Sequence, residues 1–265
     1  MIIGIGDNCI DYYLPPLNIM KAGGNALNVV ANLLIHDYPA CYIGTVGNDE
    51  NGEYIKNALL EIGCSASKIK KAPGKTGITK IELCQDDYRI IEEEYGVSNV
   101  IELTESEIVY IKNTAEVVHT SLTGKATEII PKLVQTPVKI SCDLGTVQQH
   151  TTFTHLKHLL SATDYAFISA GSALNREQVI TLLERVASLG VSCVVATRGR
   201  HGCIALENNQ FIDQEALLIG ELVDPLGAGD AFISGFLSQR NSSLKTRLEC
   251  ASRWAAEACK KLGAW

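Results

Sequence analysis

Val223-Asp224-Pro225-Leu226-Gly227-Ala228-Gly229-Asp230 runs without a break into Ala231-Phe232-Ile233-Ser234-Gly235-Phe236-Leu237. Two glycines within three positions let the backbone turn tightly, and apolar side chains at 232, 233, 236 and 237 follow the i, i+1, i+4, i+5 stripe of a buried helix. A glycine turn therefore opens a helix. Such an end presents unpaired N–H groups backed by the positive pole of the helix dipole, so Gly227, Ala228 and Gly229 could cradle a developing negative charge. Asp230 stands beside that hole as a carboxylate able to take a proton from an alcohol. Amide cradle plus acid is the division of labour that phosphoryl transfer requires. The same residues would also serve as a plain helix entry with an acidic first turn, and the rest of the chain has to decide.

At 265 residues, 46% hydrophobic and 20% charged, the chain is long enough for one large α/β core with a small appended subdomain. Its formal charge of −7 argues against a surface built for nucleic acid or anionic lipid and leaves small molecules as the expected partners. No run of about 18 apolar residues is present. Met1-Ile2-Ile3-Gly4-Ile5-Gly6 opens without a basic leader, so the expected location is the cytoplasm. Nine cysteines are scattered, never as C-x-x-C, and several fall in apolar strands, which suits reduced core thiols. His155 and His158 lie three apart with no third ligand nearby and read as a solvated helix face.

In chain order, residues 2–5 make a short strand ending at Gly6-Asp7-Asn8-Cys9-Ile10-Asp11, and Asp11 is a candidate to hold sugar hydroxyls or a simple turn residue. Gly23-Gly24 opens a helix whose first turns carry Asn25 and Asn28 on one face; their amides both donate and accept, as polyol recognition demands. A strand at 41–46 leads through a polar turn into a helix over 53–62, stopped by Gly63. From Thr76 to Glu94 the pattern alternates in twos around Asp86-Asp87, which predicts a hairpin inserted between α/β units, able to close over a ligand or pair with a second subunit.

Beyond residue 100 strands and helices alternate regularly. Thr104-x-x-Glu107 resembles a capping box, strands are expected at 116–119, 138–142 and 191–196, and helices at 125–135, from Asn175 to Gly190, and over 243–262. Thr197-Arg198-Gly199-Arg200-His201-Gly202 follows the strand at 191–196; it could line nucleotide phosphates or form a hairpin turn.

Four stretches in this order resemble the ribokinase-like (PfkB) carbohydrate kinases: Gly6 to Asp11, Gly23 to Asn28, Val46 to Gly52, and Asp224 to Asp230. The resemblance covers the full chain. It implies a three-layer α/β sandwich with a mostly parallel central sheet, as one kinase domain over 1–265, with lid strands inserted at about 10–20 and 76–95. It further implies ATP-dependent phosphorylation of a sugar hydroxyl with Mg²⁺ on the phosphates, and it allows a monovalent cation and a homodimer through the lid. Carried over by motif, Asp230 is the base and Gly227, Ala228 and Gly229 the anion hole; Asp11, Gly23, Gly24, Asn25 and Asn28 touch the sugar; Thr197, Gly199 and Gly202, with Gly227 and Gly229, lie along the nucleotide; Asp224 is the metal candidate.

Within that family the chain is similar to the fructoselysine 6-kinases, which share the G-D-N-C-[IV]-D opening, the G-G-N-A-x-N loop and the Gly-Ala-Trp ending. Their substrate is an Amadori sugar phosphorylated on a primary hydroxyl. Its secondary ammonium would favour carboxylates, so Glu82, Glu92, Glu93 or Glu94 on the lid is expected to meet it, with Arg89 at the substrate carboxylate. A charged edge strand that resists aggregation explains the same residues. Pro225 replaces the family's usual threonine, and Ser169-Ala170-Gly171-Ser172 lacks the N-x-x-E element that helps organise Mg²⁺. The alternatives are a kinase for another ketose or a nucleoside, and a regulator that keeps the fold without the reaction.

Overall fold

The structure, a computed structural model, describes residues 1–84, 87–147, 153–172, 174–217 and 220–265. Its elements run β1 (Ile2–Ile5), β2 (Cys9–Tyr13), β3 (Ile19–Gly23), α1 (Asn25–Ile35), β4 (Ala40–Gly47), α2 (Glu50–Glu61), β5 (Ile69–Ala72), β6 (Thr76–Leu83), β7 (Tyr88–Gly96), α3 (Glu105–Thr114), β8 (Val117–Ser121), α4 (Ala126–Leu133), β9 (Lys139–Thr146), α5 (Lys157–Leu160), β10 (Tyr165–Ser169), α6 (Arg176–Ala187), β11 (Cys193–Thr197), β12 (Cys203–Glu207), β13 (Gln210–Gln214), α7 (Ala228–Ser238) and α8 (Leu244–Ala258).

Among the described residues the strands form two sheets. The larger runs β13-β12-β11-β10-β9-β8-β1-β4-β5 and is parallel except where β12 pairs antiparallel with β11 and β13. Successive side chains of a strand point to opposite faces, and here both faces are apolar, as a parallel sheet covered on both sides requires. Ile3, Val118, Ile140, Ala166 and Val194 pack with Ile111 of α3, Ile129 of α4 and Leu183 of α6. Their neighbours Ile2, Val117, Phe167 and Val195 pack with Val29 of α1, Phe236 of α7 and Leu248 of α8. Three layers follow, as expected.

Local signals set most boundaries. Both capping boxes close: the Glu107 amide donates to Thr104 Oγ1 at 3.2 Å, and the Gln178 amide to Asn175 Oδ1 at 2.9 Å. α2 begins earlier than expected because Asp49 caps it, accepting the Gly52 amide at 3.0 Å. α8 stops at Ala258 rather than 262: the Cys259 carbonyl is taken by the Val223 and Asp224 amides at 2.8 and 3.2 Å, which turns the chain out of the helix. All nine cysteines are free. Among the described residues no helix is long and apolar enough to cross a membrane.

The smaller sheet has the order β3-β2-β6-β7. β2 pairs antiparallel with β3 and parallel with β6, and β6 pairs antiparallel with β7. The turn expected at Asp86-Asp87 falls partly outside the described residues, at Gln85 and Asp86.

Gly4 sets the position of α1, and Gly23 makes room for Asp11. A Cβ on Gly4 would lie 2.6 Å from the Ala26 carbonyl oxygen, so α1 rests directly on the β1 backbone; a Cβ on Gly23 would lie 2.0 Å from the Asp11 carboxylate. Gly4→Ala is therefore expected to push α1 off β1, at a cost of roughly 1–3 kcal/mol. Chemical denaturation checks it, and wild-type stability would refute it.

Candidate active site

Parallel strands deliver their C-terminal residues to one edge of the large sheet: Asp7 just beyond β1, Ser121 ending β8, Asp143 in β9 and Thr197 ending β11. α1 and α7 pack together above this edge, tied by the Ser234 hydroxyl donating to the Val29 carbonyl at 3.0 Å. That packing brings Asn25 and Asn28 to Asp230. Asn25 Nδ2 donates to Asp230 Oδ1 and to Asp143 Oδ2, both at 2.7 Å, and Asn28 Nδ2 donates to Asp230 Oδ2 at 2.7 Å.

The Asn25 amide is oriented by the two carboxylates, which need a donor, and His119 can complement that orientation. Asn25 Oδ1 lies 3.0 Å from Nε2 of His119, whose Nδ1 lies 2.9 Å from the Ser141 hydroxyl. His119 is fully buried, and burial holds its ring down at about 3, so it is neutral. A neutral ring that gives its Nε2 proton to Asn25 accepts the Ser141 hydroxyl at Nδ1, which leaves the Asn25 amide nitrogen facing the two carboxylates.

The cleft is acidic. Asp7 accepts the Asn25 backbone amide at 3.1 Å and the Ser121 hydroxyl at 3.2 Å. Loss of water pushes all of these acids up: Asp11 to about 7, Asp143 to about 6, Asp7 and Asp230 also above the usual carboxylate range. Among the described residues none of the four has a Lys or Arg in an ion pair. Among the described residues Asn28 Oδ1 is buried without a partner, an acceptor left for a donor such as a ligand hydroxyl.

The small sheet turns one face to this cleft. Asp11 pairs with Thr79, and Thr79 pairs with Glu93, so the three share a face; Ile81 and Leu83 continue that face and bring Tyr88 onto it. Burial and then the nearby Asp230 charge push the Tyr88 hydroxyl up to about 12. Arg89, expected at the substrate, lies on the opposite face, because it pairs with Glu82, the residue between Ile81 and Leu83. Its side chain is 71% exposed, with Nε 3.6 Å from Glu82 Oε2. Glu92 and Glu94 also turn away, opposite Lys80 and Ile78; of the lid glutamates named from sequence, only Glu93 faces Asp11.

At the start of α7 the cradle is built differently from the expectation in one respect. The Ala228 amide is already bonded to the Pro225 carbonyl at 3.2 Å, and among the described residues the amides without a partner are those of Gly227, Gly229 and Asp230. Gly227 has φ 75° and its absent side chain would stand 2.2 Å from Ala264 Cβ; a Cβ on Gly229 would meet no atom within 4 Å. Gly227 shapes the turn, and Gly229 leaves the space open. Gly24, at φ 111°, lets the chain enter α1 against the Asn8 backbone.

Thr197, Gly199 and Gly202 lie apart from Asp230, in a short turn at the end of β11, two strands from β9 on the same sheet edge. The Thr197 carbonyl accepts the Ala170 and Gly171 amides at 2.9 and 3.2 Å, and Gly202 packs against the Gln214 carbonyl. Arg198 in this turn has a buried Nε with no partner among the described residues.

Asp224 does not fit the metal role expected of it. It is fully buried, and its carboxylate accepts the Leu226 and Gly263 amides, each at 2.9 Å, and the Tyr13 hydroxyl. A cation needs acceptors, and this pocket supplies donors. Among the described residues no group of three or more His, Cys, Asp or Glu side chains is placed to hold a metal ion.

His119, Asp7, Asp143 and Tyr88 carried no site role in the sequence reading. A histidine within an apolar strand and an aspartate at each of two strand ends were the available signals.

The pfkB family carbohydrate kinase model matches residues 19–265. The chain is 30% identical over 270 residues to fructosamine kinase FrlD of Bacillus subtilis (strain 168), covering all of this chain and 92% of that protein. It is 29% identical over 264 residues to fructoselysine 6-kinase of Escherichia coli (strain K12), covering 98% of each. Arabidopsis thaliana ribokinase, solved with ribose and ATP, superposes with a TM-score of 0.84 at 20% identity, over 99% of this chain and 93% of that one.

Two glycines of the cradle should separate on substitution. Gly227→Ala is expected to lose about 2 kcal/mol or more, from positive φ together with the Ala264 clash. Gly229→Ala should melt like wild type yet lose affinity for a nucleoside triphosphate, because the methyl takes the space left for the anion. Thermal melts beside nucleotide titrations check both; equal melting of the two variants would contradict the assignment.

Proposed function

We propose that this chain, which belongs to the pfkB family of carbohydrate kinases, transfers the γ-phosphoryl group of ATP to a primary hydroxyl of a sugar that carries an ammonium group, fructoselysine above all. The observation that carries the reading is Asp230, gripped at both oxygens by Asn25 and Asn28 beside a row of open amides. Its raised pKa makes it a stronger proton acceptor than a solvated carboxylate, suited to a hydroxyl as that oxygen attacks. The amides of Gly227, Gly229 and Asp230 receive the charge that gathers on the transferring group.

Asp11 and the free Asn28 Oδ1 hold the sugar hydroxyls, and the small sheet is the lid that excludes water. ATP lies from the cradle toward the Thr197–Gly202 turn, where Arg198, whose Nε has no partner among the described residues, offers a phosphate partner. When bound, Mg²⁺ would supply charge neutralisation on the phosphates; Asp224 is assigned to the loop and not to the ion. Nine free thiols support a reducing compartment, the cytoplasm.

The ammonium is argued from charge. Among the described residues Asp7, Asp11, Asp143 and Glu93 form no ion pair with a Lys or Arg; Lys21 stands opposite Asp11 in the β2–β3 register, and four carboxyl groups against this one amine still favour a positively charged ligand. The two relatives named above act, by their names, on fructosamines and fructoselysine. Of the four lid glutamates Glu93 keeps the place beside the ammonium, and Asp143 joins it.

Two measurements test these assignments. Asp230→Asn is expected to fold and bind ATP while kcat falls by roughly two to four orders of magnitude; near-normal turnover removes Asp230 from its role. In an ADP-release panel, the preference for fructoselysine over fructose in kcat/KM should fall as pH drops from 8 to 5, since Asp11 near 7 and Asp143 near 6 take up protons and the cleft loses its charge. Asp143→Asn should flatten that profile. A preference that ignores both pH and the substitution, or turnover confined to neutral ketoses or nucleosides, defeats the cationic-sugar reading.

A further inference from the structure

The three donors that fill Asp224 come from three separate parts of the chain. Leu226 belongs to the cradle loop, Gly263 to the segment after α8, and Tyr13 to β2 of the small sheet. Tyr13 is fully buried and stands two residues beyond Asp11, on the same face of the same strand. A movement of β2 therefore carries the sugar-facing carboxylate and the Tyr13 hydroxyl together. The segment after α8 is fixed independently: Asn32 Nδ2 donates to the Ala264 carbonyl at 3.0 Å and to the Asn28 carbonyl at 2.9 Å, and Ala264 abuts Gly227. Asp224 thus joins the small sheet to the segment after α8, with the cradle loop between them.

We propose that Tyr13 and Asp224 are positioning residues that couple the sugar site to the phosphate cradle. A sugar seated on Asp11 sets β2, the Tyr13–Asp224 hydrogen bond passes that setting to Leu226–Gly229, and the cradle takes its working shape only when an acceptor is present. The enzyme then holds ATP weakly in the open state and protects it from water. This rests on reading Gly227–Asp230 as the phosphate cradle, and not on which sugar is used.

The test is a titration of AMP-PNP into the wild-type protein and into Tyr13→Phe, each with and without a saturating amount of whichever sugar the ADP-release panel shows is turned over fastest. The ratio of the two Kd values measures the coupling. In the wild type the sugar is expected to tighten AMP-PNP by roughly 5-fold or more. In Tyr13→Phe, which loses one hydroxyl, the ratio should come within about twofold of unity, with the sugar's own Kd unchanged and kcat lowered. A purely structural Tyr13 would lower melting temperature and leave the ratio intact, and that result overturns the proposal; a wild-type ratio of one does so too. If AMP-PNP does not bind the wild type at all, the cradle assignment fails and takes this proposal with it. Asp224→Asn, assayed across Mg²⁺ and K⁺ concentrations, adds an independent readout: half-saturating ion concentrations like those of the wild type are expected, and a large shift would return Asp224 to the metal.

Discussion

One amide nitrogen stands where four elements meet. Asn25 Nδ2, at the start of α1, donates to Asp143 of β9 and to Asp230 of α7, while its carbonyl is held by His119 of β8. Two carboxylates brought this close repel one another unless something donates to both. An amide does so without adding a charge of its own, so the cleft stays negative. A lysine in that place would neutralise the pair and lower their pKa values, and neither acid would remain a ready proton acceptor.

The arrangement needs backbones that come unusually near each other. α1 can aim Asn25 and Asn28 into the cleft because Gly4 lets it lie on β1 and Gly23 leaves room for Asp11. On the far side Gly227 lets the segment after α8 close against the cradle loop. Glycine here serves two distinct ends: at 4, 23 and 227 it permits contact, and at 229 it preserves a space. Only a structure separates these uses, since the letter in the chain is the same.

Periodicity and caps made most of the architecture legible beforehand. Thr104, Asn175 and the glycine entry at 227 mark helix starts through bonds within a few residues, and such bonds are written locally. The lid was harder. Whether Tyr88 or Arg89 looks into the cleft depends on strand register, and β6–β7 carries an irregularity between Lys80 and Ile81 that no count along one strand reveals. Chemistry invited the choice of Arg89; the pleat reversed it. Asp230 and the two asparagines were readable because each sits beside a glycine-marked turn. Asp143 and His119 were not, because their significance comes from what α1 brings opposite them across more than ninety residues. Asp224 is a related case: its neighbours in sequence suggest a ligand, and its neighbours in space are donors.

The cleft stores protons. With Asp11 near 7 and Asp143 near 6, a sizeable share of the molecules near neutrality carries a hydrogen on one or other of these acids. A cation settling among them would lower both values and expel those hydrogens into the medium. The heat of association would then include the ionisation heat of whatever buffer accepts them, and affinity measured in one buffer at one acidity would describe an exchange of ions as much as a fit of shapes.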